Sequence, residues 1–192
     1  AAIERLRIIF ANFDNVYFSV SGGKDSSVMI QLANMVGKEM NKKFDVLFID
    51  LEAQYKRTVE HIEELKKLPQ VRDFYHIALP IALRNAISVL QPKWICWEEE
   101  SKDLWVRDLP KDSININNCP FDFFVPGEEF EEFMIQFPKW YQEKYGGLVA
   151  CGVGIRTDES LNRFNTIAVQ DKKTTFKGYQ WTTKIKMHDK YL

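Results

Sequence analysis

The chain has 192 residues, 45% of them hydrophobic and 28% charged, with a formal net charge of −1 at pH 7. That length is enough for one sizeable core, and the composition is that of a globular protein. The balanced charge gives no electrostatic case for a nucleic-acid partner, the apolar runs are too short to cross a bilayer, and three cysteines without framework spacing point to a reducing cytoplasm rather than a disulfide scaffold.

An amphipathic helix is predicted over residues 2–12, with Ile3, Leu6, Ile9 and Phe10 on one stripe. A strand over 15–20 leads through a glycine turn into a helix reaching 41, where Val28, Leu32, Val36 and Met40 recur at four-residue spacing. The apolar run Phe44–Ile49 reads as a strand buried on both faces. A helix over 56–68 follows, with Val59, Ile62, Leu65 and Leu68 inward, and then a strand over 74–79. A helix over 128–145, which Pro138 is expected to kink or split, precedes a last strand over 148–153. Strands alternating with helices imply βαβ units and a doubly wound parallel sheet, whose ligands bind beyond the carboxyl ends of the strands.

A single α/β domain over 1–192 is expected, interrupted by a loop-rich insert over 91–127. The insert carries Trp94, Trp97, Trp105, Phe121, Phe123 and Phe124 among four prolines. Two readings stand for these aromatics: a second small core packed on the sheet, or a surface for a protein partner.

The most informative stretch is Ser19-Val20-Ser21-Gly22-Gly23-Lys24-Asp25-Ser26-Ser27, placed where a strand turns into a helix. Adjacent glycines let the backbone approach a ligand and adopt positive φ. The first amides of the helix are unpaired and the helix dipole favours an anion there. Lys24 adds a point charge, and Ser21, Ser26 and Ser27 add hydroxyl donors. The combination suits a phosphate, pyrophosphate or sulfate. It is not a Walker A loop, which needs four residues between its glycines and Ser or Thr directly after the lysine, and it is not the G-x-G-x-x-G dinucleotide turn.

The string Ser21-Gly22-Gly23-Lys24-Asp25-Ser26 resembles the PP-loop of the ATP-pyrophosphatase and PAPS-reductase superfamily. A second string, Gly154-Ile155-Arg156-Thr157-Asp158-Glu159-Ser160-Leu161-Asn162-Arg163, is similar to the segment that closes on the sulfonucleotide in the PAPS-reductase family. Arginine forks recognise phosphate or sulfate in bidentate fashion, so Arg156 and Arg163 are candidate anion contacts, with Glu159 orienting one of them. The resemblance implies an adenine nucleotide α-hydrolase-like sheet and a small-molecule nucleotide, PAPS or ATP, held by Ser19, the PP-loop from Ser21 to Ser27, Asp50, Glu52, Gly154, Arg156, Glu159 and Arg163. Magnesium is expected only if ATP is used, with Asp25, Asp50 or Glu52 as candidate carboxylates. Otherwise no metal is expected, because no Cys-x-x-Cys or clustered-histidine spacing occurs.

The implied activity is sulfonucleotide reduction or sulfur transfer, for which Cys96 and Cys119 are the candidate thiols; Cys151 falls in a strand expected to be buried. The alternatives are an ATP pyrophosphatase that forms an adenylate, or a non-enzymatic nucleotide-binding protein that controls a partner. Segments Asp50–Thr58, Trp94–Trp97 and Leu104–Arg107 look like the IbrA-like branch, described as a co-activator of gene expression. The Glu-Cys-Gly-x-His tail of the PAPS reductases has no match here, and a domain C-terminally incomplete with respect to that family is expected. Arg84 and Arg107 are further candidate anion contacts.

Overall fold

The computed structural model describes residues 2–85, 90 and 92–156, and beyond them Leu161, Asn165 and four two-residue strands between 175 and 191. Helix α1 (Ala2–Asn12), strand β1 (Asn15–Val20), helix α2 (Lys24–Met40), strand β2 (Phe44–Ile49), helix α3 (Lys56–Lys66) and strand β3 (Val71–Ile77) follow one another as two βα units. Strands β4 (Ala82–Arg84) and β5 (Lys93–Ile95), a 3-10 helix (Glu99–Leu104), helix α4 (Phe130–Tyr145) and strand β6 (Val149–Val153) complete the domain. The main sheet is parallel throughout, in the order β3-β2-β1-β6. Strand order therefore reverses at β1, which has β2 on one side and β6 on the other. This is the doubly wound α/β fold expected.

Alternation along the strands explains the layers. Val16, Phe18 and Val20 of β1 and Phe44, Val46 and Phe48 of β2 meet Leu6, Ile9 and Phe10 of α1, Ile30, Ala33 and Val36 of α2, and Ile62 and Leu65 of α3. Tyr17, Leu47, Ile49, Tyr75 and Ile77 point the other way, onto Phe133, Phe137 and Tyr141 of α4 and onto the insert. Each such fully buried aliphatic or aromatic side chain contributes on the order of 2 kcal/mol of hydrophobic stabilisation. Strand β2 is buried at every position, as its apolar run implied.

Three details differ from the sequence reading. Strand β3 spans Val71–Ile77 rather than 74–79. Arg72 and Asp73 are strand residues because Arg72 forks onto buried Asp45 at 2.9 and 2.7 Å, while the amide of Asp73 donates to the same carboxylate at 3.0 Å. Beyond Ile77 the chain turns to the insert: the amide of Ala78 donates to the carbonyl of Ile114 at 2.8 Å. Helix α4 is not split; Pro138 is buried within one continuous helix, which opens with a capping box between Glu129 and Glu132.

The insert packs on the sheet. Cys96, Trp97 and Phe121 are buried in the second core, and Trp94, Trp105, Phe123 and Phe124 pack against it. Its aromatics extend the core on the α4 side of the sheet and do not form a separate one. No helix among the described residues is long and apolar enough to cross a membrane.

Candidate functional site

The polar ends of β1, β2 and β6 lie at one edge of the sheet, beside the point where strand order reverses. In doubly wound sheets this is where ligands sit. Ser19 of β1 is in register with Val153 of β6, so the turn after β1 and the segment after β6 leave the sheet side by side.

The turn is built around its glycines. Gly22 has φ +76°, and a Cβ there would lie 2.5 Å from the Thr58 methyl of α3. Only glycine combines that backbone with that contact. Gly23 is the N-cap of α2, extended at φ −75° and ψ 165°, with no side chain capping the helix. The free first-turn amides of α2 therefore face the loop, where the helix dipole favours an anion. Ser26 and Ser27 donate to the Gly23 carbonyl at 2.9 and 2.8 Å, and the Gly23 amide reaches Ser21 Oγ at 3.3 Å. Lys24 projects into solvent and pairs with Asp25 at 3.3 Å.

The second motif is brought to the same turn. A Cβ on Gly154 would lie 2.9 Å from Ser26 Cα and 3.0 Å from its amide nitrogen, so the strand end rests directly on the first turn of α2. Arg156 reaches Asp25 at 3.7 Å, which places a second cation at the loop. Glu159 and Arg163 lie outside the described residues. Gly154→Ala is expected to push the first turn of α2 out of place, because backbone atoms rather than a flexible side chain oppose the methyl group. A loss of about 1–3 kcal/mol, read as a lower melting temperature, together with loss of anion binding, is the expected result.

Asp50 and Glu52 are turned inward. Asp50 accepts from the Glu52 amide at 3.0 Å, from His76 Nε2 at 2.8 Å and from Arg107 Nη2. Burial would raise its pKa, but the hydrogen bonds and charges of His76 and Arg107 outweigh burial and lower it. Glu52, at φ +66°, accepts from the amides of Trp97 and Val106 at 3.0 and 3.4 Å, and its carbonyl accepts from Arg107 Nε at 2.9 Å. The two carboxylates thus fasten the insert to the carboxyl end of β2. Arg84 pairs with Glu129 at 3.5 Å on the surface.

Sequence reasoning did not associate His61 with the loop. Its Nε2 lies 2.7 Å from Ser27 Oγ. Thr58, His61 and Ile62 occupy one face of α3, and Thr58 and Ile62 are the residues beneath Gly22. The three- and four-residue spacing after β2 was the available signal.

Neither candidate cysteine is poised as a nucleophile, and Cys151, expected to be buried, is exposed on β6. Cys96 is fully buried, its single S–H lies within reach of the carbonyls of Leu79 and Ile81 at 3.5 and 3.4 Å, and its pKa is pushed up to about 12, chiefly by burial. Burial raises the Cys119 thiol as well. An activated thiol needs the opposite shift. In the native protein Cys96 is expected to resist an alkylating reagent at pH 8 and to react only after denaturation, as peptide mapping would show.

Comparison with known proteins agrees with this geometry. Residues 15–100 match the phosphoadenosine phosphosulfate reductase domain, a span that contains the glycine turn and Asp50–Glu52. Over 185 residues the chain is 40% identical to "Uncharacterized protein YbdN" of Escherichia coli (strain K12), an alignment covering 95% of this chain and 44% of that protein. The chain therefore spans less than half the length of this relative. With the glycine turn at the reversal point of a parallel sheet and this domain match over it, residues 15–100 carry the phosphoadenosine phosphosulfate reductase domain of the PP-loop superfamily.

Proposed function

We propose that this protein binds an adenine nucleotide with its phosphate or sulfate groups in the turn Ser21–Ser27, and that Arg156 closes on the same group. The observation that carries the reading is the meeting of two anion-binding motifs at one helix terminus: Gly154 rests on Ser26, and Lys24 and Arg156 share Asp25. Backbone amides and two cations around one anion stabilise charge on it in a bound state and in a transition state alike. Asp25 bridges the two cations and, partly exposed where Asp50 and Glu52 are buried against the insert, is the carboxylate of the site best suited to magnesium if ATP is the ligand.

Two chemistries follow from the same site. In sulfonucleotide reduction a thiolate attacks the sulfur of the bound nucleotide, the S–O bond breaks with adenosine bisphosphate leaving, and a second thiol releases sulfite from the S-sulfonate as the two thiols become a disulfide. In adenylate formation an acceptor attacks the α-phosphorus and pyrophosphate leaves from the cradle. The states of Cys96 and Cys119 favour the second chemistry, or nucleotide binding without turnover of the IbrA-like kind, over thiolate attack by either of these two residues. Incubating the full-length protein with PAPS and a dithiol, and separately with ATP and magnesium, distinguishes them. Sulfite release supports the reductase, and AMP with pyrophosphate supports adenylation. Micromolar nucleotide binding with neither product supports the binding protein. Failure to bind any adenine nucleotide contradicts the whole reading.

A further inference from the structure

We propose that the insert carries a second ligand site, separate from the glycine turn, for a small planar molecule bearing a carboxylate. The site is a cleft of about 330 Å³ whose walls include Trp105, Arg107, Leu109 and Asn117. Its key group is the Arg107 guanidinium. One edge of that fork is committed to the protein: Nε donates to the Glu52 carbonyl and Nη2 to Asp50. The plane is further fixed by stacking over the Trp97 ring, 4.8 Å from its centroid. Guanidinium has five N–H donors. Among the described residues only two of them have partners, and both are on the side edge. The end-on pair, one N–H from each terminal nitrogen, is intact on a side chain four-fifths buried and lining a cleft.

This arrangement has the properties of a built recognition site. A guanidinium locked by a carboxylate, a carbonyl and a ring loses little conformational entropy on binding, and its free fork matches a carboxylate in bidentate fashion. Trp105 is held in turn: its Nε1 donates to the Glu98 carbonyl at 3.1 Å, and its ring meets Trp97 edge-on at 5.1 Å. With Leu109 it supplies an apolar wall for the body of the ligand. At the rim, Lys102 lies 5.6 Å from the Trp105 ring and is paired with Glu99 at 3.0 Å. Asp108 and Asn117 place an acceptor and an amide there, suited to a polar substituent rather than to the carboxylate. A cleft of this volume holds a molecule of about ten to twenty non-hydrogen atoms. The site stands whether or not the glycine turn holds a nucleotide.

The test uses benzoate and its neutral isostere benzamide as probes, titrated calorimetrically into the full-length protein, its Lys24→Ala variant and its Trp105→Ala variant, with melting temperatures recorded for each. The expected result is benzoate binding in the millimolar range, about tenfold weaker binding of benzamide, and benzoate binding unchanged in Lys24→Ala. Trp105→Ala, if folded, loses benzoate about fivefold or more. Equal affinity for benzoate and benzamide in the wild type overturns the proposal, as does absence of benzoate binding. So does loss of benzoate in Lys24→Ala, which would put the carboxylate in the glycine turn. The wild-type and Lys24→Ala measurements decide the matter even if Trp105→Ala does not fold.

Discussion

Replacing Lys24 by alanine is expected to weaken adenine-nucleotide binding by about tenfold to a hundredfold while leaving the melting temperature nearly unchanged. Hydrogen bonds to a charged group contribute about 1.5–3 kcal/mol, which is that range in affinity. The side chain is 76% exposed, and among the described residues its one ion pair is with neighbouring Asp25 at 3.3 Å. An exposed pair of this kind contributes little to folding. Function and stability are therefore separable at this position. Titration calorimetry with the tightest-binding nucleotide, alongside a thermal melt, checks both halves. A variant that binds as tightly as wild type would mean that the anion lies elsewhere.

Asp50→Ala is expected to do the reverse and unfold much of the domain's stability. Asp50 is 1% exposed and holds His76 and Arg107. Removing one member of a buried charged network leaves the others unpaired, at a cost of about 3–5 kcal/mol. Chemical denaturation would show the midpoint falling by that equivalent. The carboxylate also predicts a pH signature. Its pKa in the folded protein is lowered, so its stabilising contribution is present above the unfolded carboxylate range near pH 4 and is lost as pH falls through the lower folded value. Below about pH 5, wild-type stability should therefore fall more steeply than that of Asp50→Asn, which has no proton to take up. Equal slopes would show that Asp50 is not stabilised by its hydrogen bonds to His76 and Arg107.

The fold was legible where local and long-range demands coincide. Strand β2 reads as an apolar run broken only by Asp45 because both its faces are covered, and the glycine pair reads as a turn because positive φ at Gly22 excludes a side chain. Legibility failed where a polar residue is buried through a distant partner. Arg72 and Asp73 look like loop residues until Asp45, 27 positions earlier for Arg72, is seen to accept from them. Pro138 looks like a helix break, yet α4 continues through it, buried on the sheet.

The same division applies to the site. The Ser21–Ser27 turn was readable from its glycines at a strand-to-helix junction and Gly154–Arg156 from its resemblance to a family motif, and their meeting follows from the register of β1 with β6. The engagement of Asp50 and Glu52 with the insert was not readable, because the donors lie at Trp97, Val106 and Arg107, in a segment without periodicity. His61 was missed for a related reason: its spacing with Thr58 and Ile62 marks a shared helix face, but only the packing of that face under Gly22 shows which loop it meets.

The central claim is that the turn after β1 holds the anionic end of an adenine nucleotide. The most direct measurement is a crystal structure of the full-length protein with the nucleotide that binds it most tightly. The account predicts a phosphate or sulfate group within hydrogen-bonding reach of the first-turn amides of α2 and of Lys24, with Arg156 turned from Asp25 toward it. A nucleotide bound anywhere else, with the turn empty of phosphate and sulfate, would contradict it.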